Sequence, residues 1–354
     1  MPTKTDIVEA WNGPGRQDGT LTVVTEQDNA LHHSDSKWAF EHWYFDARLD
    51  SGHTVVAFLQ KRRPEEPPGS KPIVELLVYY PDGTRRQVTQ HHPKSDFSAS
   101  SERCDVRIGA SHASSDYSGD LPVHHVYAAE EDLVFDLTFT NETPSWMPGG
   151  GQTDFNETDY FGWVVPGPRC AVTGTVTLDG ETREVAGRGY HDHNWGVGNM
   201  PRIIDRWHWG RLYTDELSLL FATVKTQKRF DFHESRPLML ARGRDVVLST
   251  GEVTLTEGPM LYSDVAHREY PQWIRLTVDG VVDLRLDVQQ VIHAHDLLDD
   301  VPIARSRLIK PILNRIVGRP GYFRFDSTFE LTVTLDGVTR TETGRTLHEL
   351  VALH

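Results

Sequence analysis

Four Asp-Gly dipeptides, each between strand-like segments, are the feature that most constrains how this chain folds. They are Asp82-Gly83, Asp179-Gly180, Asp279-Gly280 and Asp336-Gly337. Asp-Gly tolerates the positive φ angles of tight hairpin turns, so each pair predicts a β-hairpin. Apolar and polar residues alternate over 170–178 and 329–335, which predicts half-buried strands directly before two of these turns. We therefore expect an all-β fold of antiparallel strands in barrels or sandwiches.

The length of 354 residues corresponds to about two domains of ordinary size. The hairpin-rich halves divide near residue 195, which predicts two β domains over residues 1–195 and 196–354. Residues 300–318 break the strand pattern with a capping Asp300, a terminal Gly318 and an apolar stripe between them. This segment is predicted to be an inserted amphipathic helix. Because it is also basic, peripheral contact with a membrane surface is an alternative to packing on its own barrel.

Charge and cysteine content exclude several classes of protein. Lys and Arg number 36 against 51 Asp and Glu, and the resulting charge of −15 repels phosphate backbones. We therefore expect no nucleic-acid partner. The two cysteines, Cys104 and Cys170, make no disulfide framework and indicate a reducing cytoplasm. No stretch has the pattern of a secretory signal or a transmembrane helix, so the expected location is cytoplasmic.

A dense cluster of polar and aromatic residues lies between glycines at residues 187–196, where the sequence reads Gly-Arg-Gly-Tyr-His-Asp-His-Asn-Trp-Gly. Such groups are costly to bury unless they are paired, so the cluster predicts a site. A hydrogen-bond network that joins two domains is the alternative. In an extended chain, Tyr190, Asp192 and Asn194 share one face, and His191 and His193 share the other.

Asp192 is the candidate general acid of this cluster. A lone carboxylate that faces an aromatic pocket has its pKa raised by desolvation, which keeps it protonated near neutral pH. A protonated carboxyl group can donate its proton to an alkene. Tryptophan and tyrosine rings elsewhere in the chain can stabilise a cationic intermediate with their faces.

Metal chemistry has weaker support in the sequence. His191 and His193 with Asp192 or His208, and the separate run 293–296, have ligand-like spacing but complete no familiar metal motif. The chain also lacks a nucleophile elbow, a Walker loop and a dinucleotide fingerprint. We therefore expect neither a metal nor another cofactor. The paired histidines His32-His33, His91-His92 and His124-His125 are expected in loops or at the surface.

These motifs together resemble the hydroxyneurosporene synthase (carotenoid 1,2-hydratase) family of lipocalin-like proteins. The resemblance rests on residues 41–45, 133–139, 144–148, 163–166, 187–196 and 207–209. It implies two lipocalin-like, calycin-type β domains in tandem, with a largely apolar pocket near their junction. Hydratases of this family add water across a terminal double bond without a redox cofactor, and similar proteins are natural-product cyclases, including ones that guide Diels–Alder reactions.

The resemblance also implies roles for single residues. The acid of the hydratases is the aspartate of the Tyr-His-Asp string, which is Asp192 here, with Tyr190 beside it. Phe161 stands where the hydratases tend to carry a histidine, which favours a different lipophilic substrate or reaction.

The sequence thus predicts a cofactor-independent lyase or isomerase that acts on a lipophilic, unsaturated isoprenoid or polyene. The candidate catalytic residues are Asp192, Tyr190, His191 and His193. The candidate substrate-binding residues are Glu41, Trp43, Tyr44, Trp163, Asn194, Trp195, Trp207 and Trp209. A pericyclase and a non-catalytic carrier of lipophilic molecules are the alternatives, and the polar cluster counts against the carrier. The oligomeric state is left open.

Overall fold

The computed structural model describes residues 7–11, 21–297 and 320–354. The chain folds into two compact units. The first is Met1–Met200 with Ala241–Val247, and the second is Pro201–Leu240 with Leu248–His354. Residue 195, where the sequence analysis divides the chain, lies within a strand of the first unit. The predicted helix at 300–318 lies outside the described residues.

A twelve-stranded antiparallel sheet forms the first unit. Its strands are β1 (Ala39–Leu49), β2 (Thr54–Arg62), β3 (Ile73–Tyr79), β4 (Arg85–His91), β5 (Phe97–Ala99), β6 (Asp105–Ile108), β7 (Ser111–Asp116), β8 (Val123–Glu130), β9 (Leu133–Asn141), β10 (Gln152–Asp154), β11 (Tyr160–Leu178) and β12 (Glu181–Val197). The order in the sheet is 4-3-2-1-12-11-9-8-7-6-5, and β10 pairs with β11. Short 3₁₀ turns cover Glu26–Asn29 and Lys94–Asp96.

A ten-stranded sheet and a small hairpin follow. After the one-turn helix α1 (Met200–Ile203) come β13 (Ile204–Tyr213), β14 (Leu217–Thr226), β15 (Glu234–Ser235), β16 (Leu238–Arg242), β17 (Asp245–Thr250), β18 (Thr254–Glu257), β19 (Met260–Ser263), β20 (Arg268–Pro271), β21 (Trp273–Val278), β22 (Val282–Asp296), β23 (Gly321–Leu335) and β24 (Val338–Ala352). The sheet order is 17-16-14-13-24-23-22-21-18, β15 pairs with β14, and β19 pairs only with β20. A 3₁₀ turn covers Lys228–Phe230.

The two sheets repeat one strand order. In each sheet, the strand that comes first in the chain pairs with the one that comes last, as β1 does with β12 and β13 with β24. The strands that follow the first one form a meander on its other side. The last strand also forms a long hairpin with the strand before it in the chain, β12 with β11 and β24 with β23. The remaining strands of each sheet lie beyond this hairpin. The prediction of an all-β chain with a repeated β unit is therefore confirmed by the topology. No helix among the described residues is long and apolar enough to span a bilayer.

The four Asp-Gly dipeptides between predicted strands each connect hairpin strands. They join β3 to β4, β11 to β12, β21 to β22 and β23 to β24. At two of them both residues adopt positive φ, 54° and 79° at Asp179-Gly180 and 53° and 76° at Asp336-Gly337. Such angles match the right-handed twist of the flanking strands, which is why these turns close the longest hairpins.

The core of the first unit lies against one face of β1, β2 and β3 and packs against β6–β9. Trp43, Phe45 and Ala47 of β1 point into this core, together with the alternate residues of neighbouring strands. The expectation that the paired histidines are surface residues is wrong for His124, which is fully buried on β8. Its neighbour His125 is partly exposed, because adjacent side chains of a strand point to opposite faces.

Candidate active site

Strand β12 carries the predicted catalytic segment between β1 and β11. Successive side chains of a strand point to opposite faces of its sheet. One face, here called the Asp192 face, carries Tyr44, Asp46, Trp163, Tyr190, Asp192 and Asn194. The opposite face, here called the His193 face, carries Glu41, Trp43, Phe45, His191, His193 and Trp195. The division of residues 190–194 is the one predicted for an extended segment.

Asp192 accepts hydrogen bonds from three neighbours on its face. The hydroxyl of Tyr190 donates to Oδ2 at 2.9 Å, and the indole Nε1–H of Trp163 donates to the same oxygen at 3.2 Å. The side-chain amide of Asn194 donates to Oδ1 at 3.0 Å. Asp192 is 7% exposed, so a small part of the residue remains accessible.

The structure corrects the expectation of a lone carboxylate. Hydrogen bonds from three donors stabilise the ionised form, whereas burial among aromatic rings stabilises the neutral acid. The indole of Trp163 can only donate, so Oδ2 must accept. Oδ1 can carry a proton when Asn194 turns its amide oxygen toward it, because an amide side chain offers both an acceptor and a donor. In the structure the amide of Asn194 donates to Oδ1, so a proton on Oδ1 requires this side chain to turn.

Asp46 is a second buried carboxyl group on the Asp192 face, and the sequence analysis missed it. It lies opposite Tyr190, is 1% exposed and accepts a hydrogen bond of 2.7 Å from the hydroxyl of Tyr44. Tyr44 and Asp46 have the same i, i+2 spacing as Tyr190 and Asp192. A search for this repeated Tyr-x-Asp pattern on alternating strands would have found it.

Glu41 is buried on the His193 face and accepts three hydrogen bonds at one oxygen. Oε1 lies 2.7 Å from the backbone N of His32, 3.3 Å from its Nδ1 and 3.0 Å from Nε2 of His193. Both imidazoles stack on indoles, His193 on Trp43 with ring centroids 4.4 Å apart and His32 on Trp195 at 3.6 Å. Among the described residues, His32, Glu41 and His193 are the group with the side-chain types and spacing to hold a metal ion.

His191 is also held firmly in the interior. Its Nδ1–H donates to the backbone oxygen of Tyr44 at 2.9 Å, Nε2 accepts from the amide of Asn29 at 3.1 Å, and its ring stacks on Phe45. Burial lowers the pKa of His191 well below its usual value and lowers the pKa of His193 to about 4. Both rings are therefore neutral at pH 7. Their predicted catalytic role stays a prediction.

Ten of the twelve predicted site residues lie together on β1, β11 and β12 of the first unit. Trp207 and Trp209 lie on β13 of the second unit. Trp43, proposed as a substrate contact, is part of the first unit's core.

Two cavities lie among the described residues of the second unit, and none of the predicted catalytic or substrate-binding residues lines either. The larger, about 870 Å³, is lined by charged residues such as Arg236, Asp279 and Asp283 and by several valines. The smaller, about 40 Å³, is lined by His208, Arg206 and Glu257 among others. The largely apolar pocket that the resemblance implies stays a prediction.

The buried His124 predicts a loss of stability in acid. Burial lowers its pKa to about 4, although the hydrogen bond to the side-chain oxygen of Asn141 acts in the opposite direction. The unfolded chain therefore takes up a proton near pH 6.5 that the folded chain refuses, so stability present above that pH is lost as the pH falls toward 4. This histidine contributes a free-energy change of about 3 kcal/mol over that window.

Urea unfolding at several pH values from about 4 to 7 tests this expectation. As the pH decreases, the free energy of unfolding should fall less steeply in His124→Gln than in the wild type. The two slopes should differ by about 1.4 kcal/mol per pH unit, the contribution of one proton. His33→Gln, at an exposed histidine, is the control and should keep the wild-type slope. Equal slopes for wild type and His124→Gln would contradict the assignment.

Comparisons with known proteins place the chain in a family. The family model described as AttH-like matches residues 83–302. The curated hydroxyneurosporene dehydrogenase of Chlorobaculum tepidum is 40% identical over 244 residues, which are 58% of this chain and 62% of that protein. The chain therefore spans less than two thirds of this relative. The match confirms the resemblance predicted from the sequence.

Solved structures share the fold across nearly the whole chain. A protein assigned as AttH from Nitrosomonas europaea superposes with a TM-score of 0.63 at 15% identity, covering 94% of this chain and 98% of that one. CghA with Sch210972 gives 0.67 at 15% identity and 99% coverage of both chains. Kievitone hydratase from Nectria haematococca gives 0.57 at 15% identity and 96% coverage of both. At such identities the likeness concerns the fold, and it confirms the all-β, lipocalin-like prediction.

Proposed function

The chain belongs to the AttH-like family, and we propose that it is a cofactor-independent lyase or isomerase acting on a lipophilic, unsaturated small molecule. The substrate class is an isoprenoid or polyene, and the reaction is acid-catalysed hydration or cyclisation of an alkene. The observation that carries the proposal is the Asp192 face, where a nearly buried carboxyl group is bound by Tyr190 and Trp163. The names of two relatives, a hydroxyneurosporene dehydrogenase and a kievitone hydratase, support chemistry on such molecules.

The proposed reaction begins with proton transfer from Oδ1 of Asp192 to one carbon of the alkene. The π electrons form the new C–H bond, and the other carbon becomes a tertiary cation. Trp163 and Tyr190 keep Asp192 oriented, and the face of an aromatic ring such as Tyr44 stabilises the cation. In hydration, water adds to the cation and its surplus proton returns to Asp192. In cyclisation, a second double bond of the substrate attacks the cation and leaves a new cation on the ring. This cyclised cation returns a proton to Asp192, and the C–H electrons form the double bond of the product.

A pericyclase is the second candidate, and the hydrogen-bond donors around Asp192 favour it. An enzyme of this kind holds its substrate in a folded shape and lowers the entropic part of the barrier without transferring a proton. A fixed carboxylate with Tyr190, Trp163 and Asn194 around it is suited to holding polar groups of such a substrate. Asp192 then positions the substrate and has no role as an acid.

Product analysis separates these reactions. The full-length protein is incubated with neurosporene and with hydroxyneurosporene in detergent micelles, and extracts are analysed by chromatography with mass detection. We expect either a product heavier by one water or an isomer of unchanged mass. The control is heat-denatured protein under the same conditions.

Other outcomes would redirect the assignment. A product lighter by two hydrogen atoms would contradict the proposal and agree with the name of the Chlorobaculum relative. Tight binding of these polyenes without conversion would favour the carrier.

A further inference from the structure

Three side chains of the first unit bring metal-ligand atoms together on and beside the His193 face. Nε2 of His193 and Nδ1 of His32 lie 3.0 and 3.3 Å from Oε1 of Glu41, and all three ligand atoms lie within 4.8 Å of one another. Ligands around a tetrahedral zinc ion lie about 3.4 Å apart, because metal–ligand distances are near 2.1 Å. Two of the separations therefore already suit zinc. The third is adjustable, since His32 is the partly exposed member, with 28% of its side chain accessible.

The carboxyl group of Glu41 is enclosed by the protein. Its side chain is 1% exposed. Burying a carboxylate is costly unless its charge is compensated, and a divalent cation compensates it.

We propose that His32, Glu41 and His193 bind a divalent transition-metal ion, with Zn²⁺ as the preferred ion. Two imidazoles and one carboxylate are a ligand set of zinc sites that leave a fourth position open. Each imidazole binds the ion through an unprotonated ring nitrogen, Nδ1 of His32 and Nε2 of His193, so any proton on that nitrogen is displaced on binding. The site lies on the face of the sheet opposite Asp192 and takes no part in the proposed reaction.

The surroundings of His193 set the expected affinity. A zinc-bound imidazole usually donates its second N–H to an acceptor. Nδ1 of His193 is buried and has no partner among the described residues, whichever nitrogen carries the proton. We therefore expect binding about 10- to 100-fold weaker than in a fully supported site.

The sequence analysis missed this site because its residues are far apart in the chain. His32 and Glu41 are 9 residues apart, and Glu41 and His193 are separated by 152. The pairing of β1 with β12 brings Glu41 and His193 together. The sequence analysis considered the short spacing of His191 and His193, but His191 does not belong to the group that can hold a metal ion.

Metal titration of the full chain tests the proposal. Protein treated with chelator is titrated with ZnCl₂ by calorimetry and with CoCl₂ by visible absorption, which reports tetrahedral cobalt. We expect about one equivalent of zinc in the wild type. Glu41→Gln, which removes the charge but keeps the shape, and His32→Asn should each lose that equivalent. His33→Asn, a neighbouring exposed histidine, is the matched control and should keep it.

Several outcomes would overturn the site. These are absence of zinc binding in the wild type, retention of the equivalent in either test variant, or its loss in His33→Asn as well. Far-UV circular dichroism checks the fold of every variant. Because His32 lies at the edge of the cluster, His32→Asn decides the question even where Glu41→Gln does not fold.

Discussion

Replacing Asp192 by Asn is expected to lower product formation by about 10²- to 10⁴-fold, the usual contribution of a general acid. Asn keeps the size of the side chain and most of its hydrogen bonding, but it has no proton acidic enough to give to an alkene. Turnover is measured on the polyene that the wild-type protein converts, with circular dichroism to establish equal folding. Near wild-type turnover would reject Asp192 as the proton donor.

Asp46→Asn is the matched comparison for this experiment. Asp46 is the other buried carboxyl group of the Asp192 face, but it is 1% exposed and accepts a hydrogen bond from the hydroxyl of Tyr44. We expect Asp46→Asn to retain more activity than Asp192→Asn. Equal losses of activity in the two variants would mean that the reaction depends on the overall polarity of this face and not on a proton from Asp192.

The same variant separates the rival functions. A pericyclase should keep much of its rate in Asp192→Asn, because Asn replaces part of the hydrogen bonding that holds the substrate. A carrier should bind its ligand with unchanged affinity in both proteins and convert it in neither. The acid-catalysed enzyme, the pericyclase and the carrier therefore each predict a different combination of turnover rate and ligand affinity for Asp192→Asn.

Gly187→Ala is expected to destabilise the first unit by at least about 3 kcal/mol, which is large for a single substitution. Gly187 lies opposite Leu49 where β12 and β1 approach closely. A Cβ at this position would overlap the backbone oxygen of Arg48 and lie 2.8 Å from the α-carbon of Leu49. Both obstacles are main-chain atoms, so the clash is relieved only by separating the two strands that hold the Asp192 face together.

Urea unfolding measures this effect, with Gly119→Ala as the control. A Cβ on Gly119 would meet the backbone oxygen of Leu121 at 3.4 Å, which is nearly ordinary contact. Gly119→Ala should therefore change the free energy of unfolding by no more than about 0.5 kcal/mol. A similarly small effect of Gly187→Ala would show that β1 and β12 can separate without cost.

Much of the fold was predictable because its determinants are local. Asp-Gly turns and alternating residues act within a few positions of each other, so they identify the β11–β12 and β23–β24 hairpins directly. The buried His124 was not predictable from its neighbours. Either member of a histidine pair on a strand can point inward, and the packing of β8 decides which one does.

The sequence by itself determined that the chain is all-β, that residues 190–194 alternate between two faces, and that Asp192 and Tyr190 share one of them. Only the tertiary structure decided that Asp192 is bound by three donors, that Asp46 lies on the same face, and that Glu41 meets His193. The physical reason is the range of the interactions. Turns and alternation depend on backbone geometry over a few residues, whereas these contacts depend on the register between β1, β11 and β12, which strands distant in sequence establish only when they pair.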